Sequence, residues 1–292
     1  MHWMKYKSIY FSISGFFLLT SILSLVFWRL KLGIDFTGGS VVNYSFSKDV
    51  GKDALTGVFK NAGVSDVSIN SSANHQFTIK TEALSQRQKV QVGADLKNVD
   101  TNYQELSYEV VGPAIGPELI QKTIYAVIFS TSIILLWVAY QFKNIKYGLA
   151  AVLAMLHDSL VLLGSFSLLG HFLSVEIDFL FVTAMLTILS FSVHDTIVVF
   201  DRIREVSKRD YRNLSEIADG AVTQTMTRSL NNSFTIIFML VALVLLGGQS
   251  IRWFAVALLI GTVSGTYSSP FVAIPLLLTF DKFKKPKIVI SK

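Results

Sequence analysis

Six long apolar segments constrain what this chain of 292 residues can fold into. A helix needs about 20 mostly apolar residues to cross a bilayer. Windows of that kind, nearly free of charge, predict spanning helices at residues 8–28, 123–142, 147–175, 179–200, 229–251 and 253–280. Only 16% of the residues are charged, whereas soluble proteins carry about 25%. The composition therefore indicates an α-helical membrane protein.

The net charge of +6 does not indicate a nucleic-acid-binding protein, because the basic residues flank the apolar segments. Lysine and arginine near the ends of spans mark the cytoplasmic side. They cluster before the first span, between the second and third, after the fourth and after the sixth: Lys5, Lys7, Lys143, Lys146, Arg202, Arg204, Lys282, Lys284, Lys285 and Lys287. This distribution predicts that both termini are cytoplasmic.

A polar region separates the first two spans and has its own alternating pattern. It predicts strands at 41–46, 66–70, 76–82 and 103–111, and helices at 53–63 and 84–98. The order β-α-β-β-α-β is typical of a ferredoxin-like α+β domain. We therefore expect four parts, in chain order: a cytoplasmic N-terminus with a retained first helix (1–28), an extracytoplasmic domain (29–118), helices two to six (119–280) and a basic cytoplasmic tail (281–292).

Three ionisable residues lie within or beside the predicted spans: Asp158, Asp195 and Arg228. An aspartate at a helix centre costs roughly 2.5–3.5 kcal/mol on insertion scales, and such residues are usually functional. Asp195 is expected roughly 9 Å inside the cytoplasmic end of the fourth span. If the fifth helix begins near Ala221, Arg228 lies at a matching depth and can pair with Asp195. If it begins at Ser229, Arg228 only flanks it, and both starts are open.

The polar run TQTMTRSLNNS (223–233) leads into the fifth span. Its side chains suit a water-filled cavity better than a lipid-facing surface. A carboxylate near an arginine in such a cavity can change protonation and so bias two packings of a helix bundle. The pattern therefore predicts a proton-linked or ion-linked site at Asp195 and Arg228, with Asn231 and Asn232 as accessory residues.

The segments LHDSLV (156–161) and VHDTIV (193–198) are alike. Asp158 is interpreted as a polar packing contact, with a second relay site as the alternative. His157 and His194 are interpreted as polar neighbours of the carboxylates, although histidines can carry protons near neutral pH. Adjacent His and Asp residues point to different faces of a helix, so no metal site is predicted.

Glycines mark two close approaches of the backbone. Gly38 and Gly39 precede the first predicted strand and indicate a tight turn. Gly261 and Gly265 lie four residues apart in the last span, a spacing that lets helices pack closely. Whether the partner helix belongs to this chain or to another is open at this point.

Five motifs together resemble the SecD/SecF family of bacterial protein-export membrane proteins, which is related to the resistance-nodulation-division (RND) transporters. They are GIDFTGGS, VVGPAIG, HDTIVVFDRIRE (with Asp201 and Arg202), TQTMTRSLNNS and GTVSGTYSSPFVA. The resemblance extends over nearly the whole chain. It implies an RND-like half of six helices with one outer domain. It also implies a non-enzymatic, cofactor-free subunit of the Sec translocase in the cytoplasmic (inner) membrane, which promotes protein export with the proton motive force.

The resemblance also implies partners and site residues. The partners are SecD, the SecYEG channel, the unfolded secreted polypeptide and membrane lipids. The residues at positions 195 and 228 are implicated in proton passage in this family, together with an aspartate of SecD. The chain departs from the family pattern at His194, where an asparagine is common.

Two other functions are open alternatives. The first is a stand-alone RND-type exporter of small molecules or lipids, although residues 29–118 offer little room for a drug pocket. The second is an intramembrane protease with Asp158 and Asp195 as its dyad. A dyad that shares a proton needs its carboxylates close together, and the estimated depths of these two differ.

Overall fold

The computed structural model describes residues 2–72, 75–112, 115–209 and 212–282. Its elements, in chain order, are α1 (Lys7–Trp28), α2 (Ile34–Thr37), β1 (Gly39–Ser45), α3 (Lys52–Asn61), β2 (Val67–Ser72), β3 (Gln76–Thr81), α4 (Gln86–Val99), β4 (Gln104–Val111), α5 (Ile115–Phe142), α6 (Ile145–Leu173), α7 (Phe179–Ser207), α8 (Leu214–Leu246), α9 (Gln249–Ser268) and α10 (Ile274–Lys282). They form two units: Met1–Lys31 with Tyr125–Lys292, and Leu32–Ile124.

Six helices of the described chain are long and apolar enough to cross a membrane, which confirms the predicted architecture. They are α1, α5, α6, α7, α8 and the segment formed by α9 and α10. The fifth helix differs most from its prediction, since α8 begins at Leu214 and ends at Leu246. Hydrophobicity alone placed its start too late, because the first turns of α8 are polar. Most of the predicted basic tail, 283–292, lies outside the described residues.

The sixth span contains a π-helical turn, Ser269–Ala273, between α9 and α10. Pro270 has no N–H to donate and its ring would clash with the carbonyl four residues earlier in a regular α-helix. A wider turn relieves that clash, and such turns are frequent at functional sites. The apolar pattern predicted a span here and contained no signal for the wider turn.

Small residues bring the membrane helices into close contact. On α6, a Cβ atom at Gly164 would overlap Ser21 of α1. The Ser24 hydroxyl of α1 donates to the Gly164 carbonyl over 3.0 Å. On α9, a Cβ at Gly261 would overlap the Ile188 side chain, and one at Gly265 would lie 3.4 Å from the Ser192 Cβ. The partner helix of the α9 glycines is therefore α7 of this same chain.

The second unit is a four-stranded antiparallel sheet of order β2-β3-β1-β4 with two helices, α3 and α4. This order is that of a ferredoxin-like fold, as the sequence predicted. Its core contains fully or almost fully buried apolar side chains from both helices and both central strands: Val42, Leu55, Phe59, Ile79 and Leu96. The alternating apolar pattern predicted the four strands of this sheet.

Two glycines form the turn into β1. Gly38 has φ 75° and Gly39 has φ 137°, both in a region that residues with side chains rarely adopt. A Cβ atom at Gly39 would also lie 2.7 Å from the Thr81 carbonyl oxygen of the neighbouring strand. Glycine is therefore required at position 39 for two independent reasons.

Asp100 fastens the loop after β1 to the end of α4. Its buried carboxylate accepts hydrogen bonds from Ser47 N over 2.7 Å and from Asn102 N over 3.0 Å. The Ser47 hydroxyl donates to it as well. These donors favour the ionised form, so the pKa of Asp100 is lowered, chiefly by the Asn102 N–H, while burial opposes the shift.

We expect Asp100→Asn to destabilise this domain in a pH-dependent way. The lowered pKa makes the carboxylate stabilising above its unfolded-state pKa of about 3.9, and this stability is lost as the pH falls through the folded-state pKa. Hydrogen exchange of the β1 and β4 amides in the full-length protein measures the effect. The variant should exchange faster than wild type at pH 7, and the difference should vanish at strongly acidic pH. Asp66→Asn, at an exposed position, is the control, and equal loss of protection in both variants would contradict the assignment.

Candidate functional site

A cavity of about 250 Å³ lies between α7 and α8 in the first unit. Its lining combines one carboxylate, one guanidinium and several neutral polar groups: His194, Asp195, Val198, Arg228, Ser229 and Asn232. The helical spacing explains this set, because residues three and four apart share one face of a helix. A cavity of this size and polarity has room for several water molecules.

Asp195 is the buried carboxylate of this cavity, with 6% of its surface exposed. Its Oδ2 accepts a hydrogen bond from the Ser229 hydroxyl of α8 over 2.8 Å. The Ser269 hydroxyl, at the start of the π turn, is a further side-chain neighbour. Asp195 therefore faces helices α8 and α9 from α7, with one side towards the cavity. A carboxyl group in this position can take up or release a proton through cavity water.

Arg228 lies within α8 and not before it, because that helix already begins at Leu214. At about 1.5 Å per residue it is roughly 21 Å along the helix. Its side chain is exposed and lines the same cavity as Asp195. In the described part of the chain it forms no ion pair with Asp195. Asp195 and Arg228 therefore line one cavity without a direct ion pair between them.

Of the predicted accessory residues, some line the cavity and others do not. His194 and Asn232 line the cavity. Asn231 is exposed, does not line the cavity, and its carbonyl accepts a bond from Thr235. His194 and Asp195 were expected on different helix faces, but the cavity is wide enough for both to line it.

The DRIRE end of α7 contributes a cross-link to α8. Arg202 Nε donates to Gln224 Oε1 over 2.5 Å, and its Nη1 pairs with Glu205 on the same helix. Asp201 is exposed. Gln224 lies one turn before Arg228, so the Arg202 contact holds α8 beside α7 near the cavity.

Asp158 does not line this cavity. It lies on α6 with 0% exposure, and among the described residues its side-chain partners on α6, α7 and α9 are His157, Ser192, Ser264 and Ser268. Within the described residues no hydrogen bond joins it to Asp195. The structure therefore does not bring the two aspartates together as a proton-sharing dyad. The same residues contain no group of three or more His, Asp or Glu side chains suited to a metal ion.

Sequence reasoning missed the hydroxyl partners of both aspartates. Ser229 was predicted only as a member of the polar run 223–233 and as a possible helix start, and Ser264 and Ser268 were not identified as donors. One signal was available, since Ser264 and Ser268 lie four residues apart and so share a helix face. The pairing of that face with α6 and α7 is a tertiary contact that helical spacing cannot predict.

Two parts of the chain match known family patterns. Residues 91–283 match the family described as protein export membrane protein SecD/SecF, C-terminal. Residues 24–50, which include the Gly38–Gly39 turn, match the SecD/SecF GG motif.

Relatives of known name match this chain over nearly the whole length of both sequences. The chain is 39% identical to the protein translocase subunit SecF of Thermobaculum terrenum, over 95% of this chain and 93% of the relative. It is 36% identical to the subunit of that name from Sebaldella termitidis, over 97% and 92%.

Solved structures of SecDF have the same fold. SecDF from Thermus thermophilus, described as a translocon-associated membrane protein, superposes with a TM-score of 0.84 and 29% identity, over 97% of this chain. SecDF in a super-membrane-facing form gives a TM-score of 0.71 at 27% identity. This chain spans 39% of each of those longer chains.

Proposed function

Because this chain belongs to the SecF group of the SecD/SecF family, we propose that it acts with a SecD protein to drive protein export by the proton motive force. It is a multi-pass membrane protein of the Sec translocase, and its role there is auxiliary and non-enzymatic. Protonation and deprotonation of Asp195 supply the coupling, and Arg228 modulates the charge at the site. SecYEG, the unfolded secreted polypeptide and surrounding lipids complete the set of partners.

The buried Asp195 carboxyl group beside a polar cavity carries this proposal. An aspartate inside a membrane helix is expensive, and it is retained where protons or ions pass. Asp195 accepts a hydrogen bond from the Ser229 hydroxyl, has the Ser269 hydroxyl as a further neighbour and also lines the cavity. A change of charge there alters the contacts between α7, α8 and the π turn. Such a change can favour one of two packings of the bundle.

The distribution of basic residues supports one orientation of this chain in the membrane. Lys143 and Lys146 lie between α5 and α6, and Arg202 and Arg204 lie near the end of α7. By the positive-inside rule these ends face the cytoplasm. We therefore place both termini in the cytoplasm and the α+β domain outside an inner membrane. There the domain can act on polypeptide that emerges from the channel.

A stand-alone RND-type exporter is the alternative, and copurification distinguishes the two. We expect the tagged chain, coexpressed with SecD and SecYEG, to copurify with SecD and with the channel. A tagged six-span membrane protein of another family is the control for nonspecific recovery. Isolation of the chain without SecD, together with efflux of a small-molecule substrate, would support the exporter and overturn the proposal.

A further inference from the structure

The second buried carboxylate, Asp158, is bonded more fully than Asp195. Its Oδ2 accepts from the Ser192 hydroxyl of α7 over 2.7 Å and from the Ser268 hydroxyl of α9 over 2.6 Å. Its Oδ1 accepts from the Ser264 hydroxyl of α9 over 2.6 Å and lies 3.1 Å from His157 Nδ1. One side chain of α6 thus joins three membrane helices.

Three serine hydroxyl groups and one imidazole nitrogen surround the Asp158 carboxyl group. An ionised aspartate has about four acceptor positions, whereas an asparagine has a single acceptor oxygen. His157 supplies the fourth donor when its Nδ1 carries the proton, and its buried Nε2 has no partner among the described residues. With these four neighbours, Asp158 forms a fixed hub between α6, α7 and α9.

Two short connections lead from this hub to Asp195. On α7, Ser192 lies one turn before Asp195 and donates to Asp158. On the sixth span, Ser268 donates to Asp158, and the next residue, Ser269, begins the π turn. The Ser269 hydroxyl contacts the Thr196 hydroxyl over 3.0 Å and the Ser192 carbonyl over 3.4 Å. Asp158 thus restrains both α7, through Ser192, and the end of α9, through Ser268. These two segments form the contact that places Ser269 beside Asp195.

We infer that Asp158 is a positioning residue for the Asp195 site, because its carboxyl group holds α7 and the start of the π turn in the register that sets Ser269 beside Asp195. This inference rests on the proposed proton-coupled function. Asp158 itself does not carry the transported proton. Its removal loosens the hydroxyl groups around Asp195 and so changes the proton affinity of that site.

The titratable groups around the two carboxylates come from several elements. Asp195 has His194 on its own helix and Arg228 on α8. Near Asp158, His157 lies on α6 and Tyr267 on α9, with 6.4 Å between the two ring centroids. The Tyr267 hydroxyl donates to the Tyr10 carbonyl of α1 over 3.1 Å, and the π turn Ser269–Ala273 has no titratable side chain.

The pH profile of proton-driven export tests this role. The full-length protein with SecD and SecYEG is reconstituted in vesicles, and export is measured across a range of pH. We expect Asp158→Asn to shift the pH of half-maximal export by ~1 pH unit, which is a tenfold change in proton affinity. Ser268→Ala, a milder change with one hydrogen bond removed, should shift it in the same direction by less. Asp158→Glu should restore part of the wild-type profile.

Thr262→Ala is the matched control, because this buried hydroxyl of α9 bonds to the Leu258 carbonyl of its own helix. It should leave the midpoint unchanged. A uniform loss of export at every pH, with the midpoint unmoved, would show that Asp158 only fastens helices and would overturn the inference. Complete loss of proton dependence in Asp158→Asn would overturn it too, since Asp158 would then be a proton carrier.

A double variant separates this inference from the proposed function. Residues that act through one another are not additive, so Asp158→Asn should change nothing further once Asp195→Asn is present. If Asp195→Asn alone leaves proton dependence intact, the proposed function fails. If Asp195→Asn abolishes it while neither Asp158→Asn nor Ser268→Ala moves the midpoint, only the positioning role fails. Where Asp158→Asn does not accumulate, the Ser268→Ala profile decides.

Discussion

Asp195→Asn should reduce export to the level that remains when the proton gradient is collapsed by an uncoupler. The amide has nearly the same shape as the carboxyl group, but it neither binds nor releases a proton in this range. The Ser229 donor can still reach the amide oxygen, so the helices α7 and α8 should stay packed. The loss is therefore expected in coupling and not in folding. Export and proton conductance in vesicles, measured with and without the gradient, give the two readouts.

The controls for Asp195 separate charge from shape. Asp195→Glu keeps an ionisable group and should retain part of the proton-dependent export. Ser229→Ala removes a hydroxyl donor to Asp195 and should change the pH profile without abolishing it. If Asp195→Asn exports and conducts protons at wild-type rates, the coupling proposal is wrong.

Arg228→Ala should lower proton-driven export on the order of tenfold, the equivalent of one pKa unit at the site. The guanidinium lines the same cavity as Asp195, and a nearby opposite charge favours the ionised form of a carboxyl group. Its removal leaves the Asp195 charge without an opposite charge across the cavity. Proton uptake after a pH jump, measured beside export, reports the change.

Arg228→Lys is the matched variant for this prediction. It keeps the positive charge but replaces the planar guanidinium by a compact ammonium group. We expect it to retain most of the proton-driven export. An Arg228→Ala protein with a wild-type pH profile would remove Arg228 from the mechanism and leave Asp195 as the sole charged residue of the proposal.

The membrane helices and the outer domain were predictable because their signals are local. Apolar windows mark the spans, and alternation marks the strands of the β-α-β-β-α-β unit. The start of α8 was not resolved, since its first turns, from Leu214 onward, are polar and resemble a loop by hydropathy. The π turn at Ser269 was missed because Pro270 alone does not specify how a helix accommodates it.

The site was predictable in outline only. Asp195 and Arg228 were identified as unusual residues in or near apolar segments, and the structure places both on one cavity. The sequence could not predict that Asp195 lines a cavity whereas Asp158 is enclosed by hydroxyl groups. This difference depends on Ser192, Ser264 and Ser268, which reach Asp158 only after three helices have packed. Serine is common in membrane helices for packing reasons alone, so its role as a donor has no local signal.

The close contact of α1 with α6 has a consequence for how the chain is assembled. Ser24 and Gly164 are 140 residues apart in sequence, and their hydrogen bond closes a loop that includes the whole α+β domain and α5. The contact between α1 and α6 therefore cannot form until that domain, α5 and most of α6 have been synthesised. Distant contacts of this kind form slowly, because loop closure precedes any gain from packing. The membrane bundle thus completes its fold late in biosynthesis, after the domain between α1 and α5 has been made.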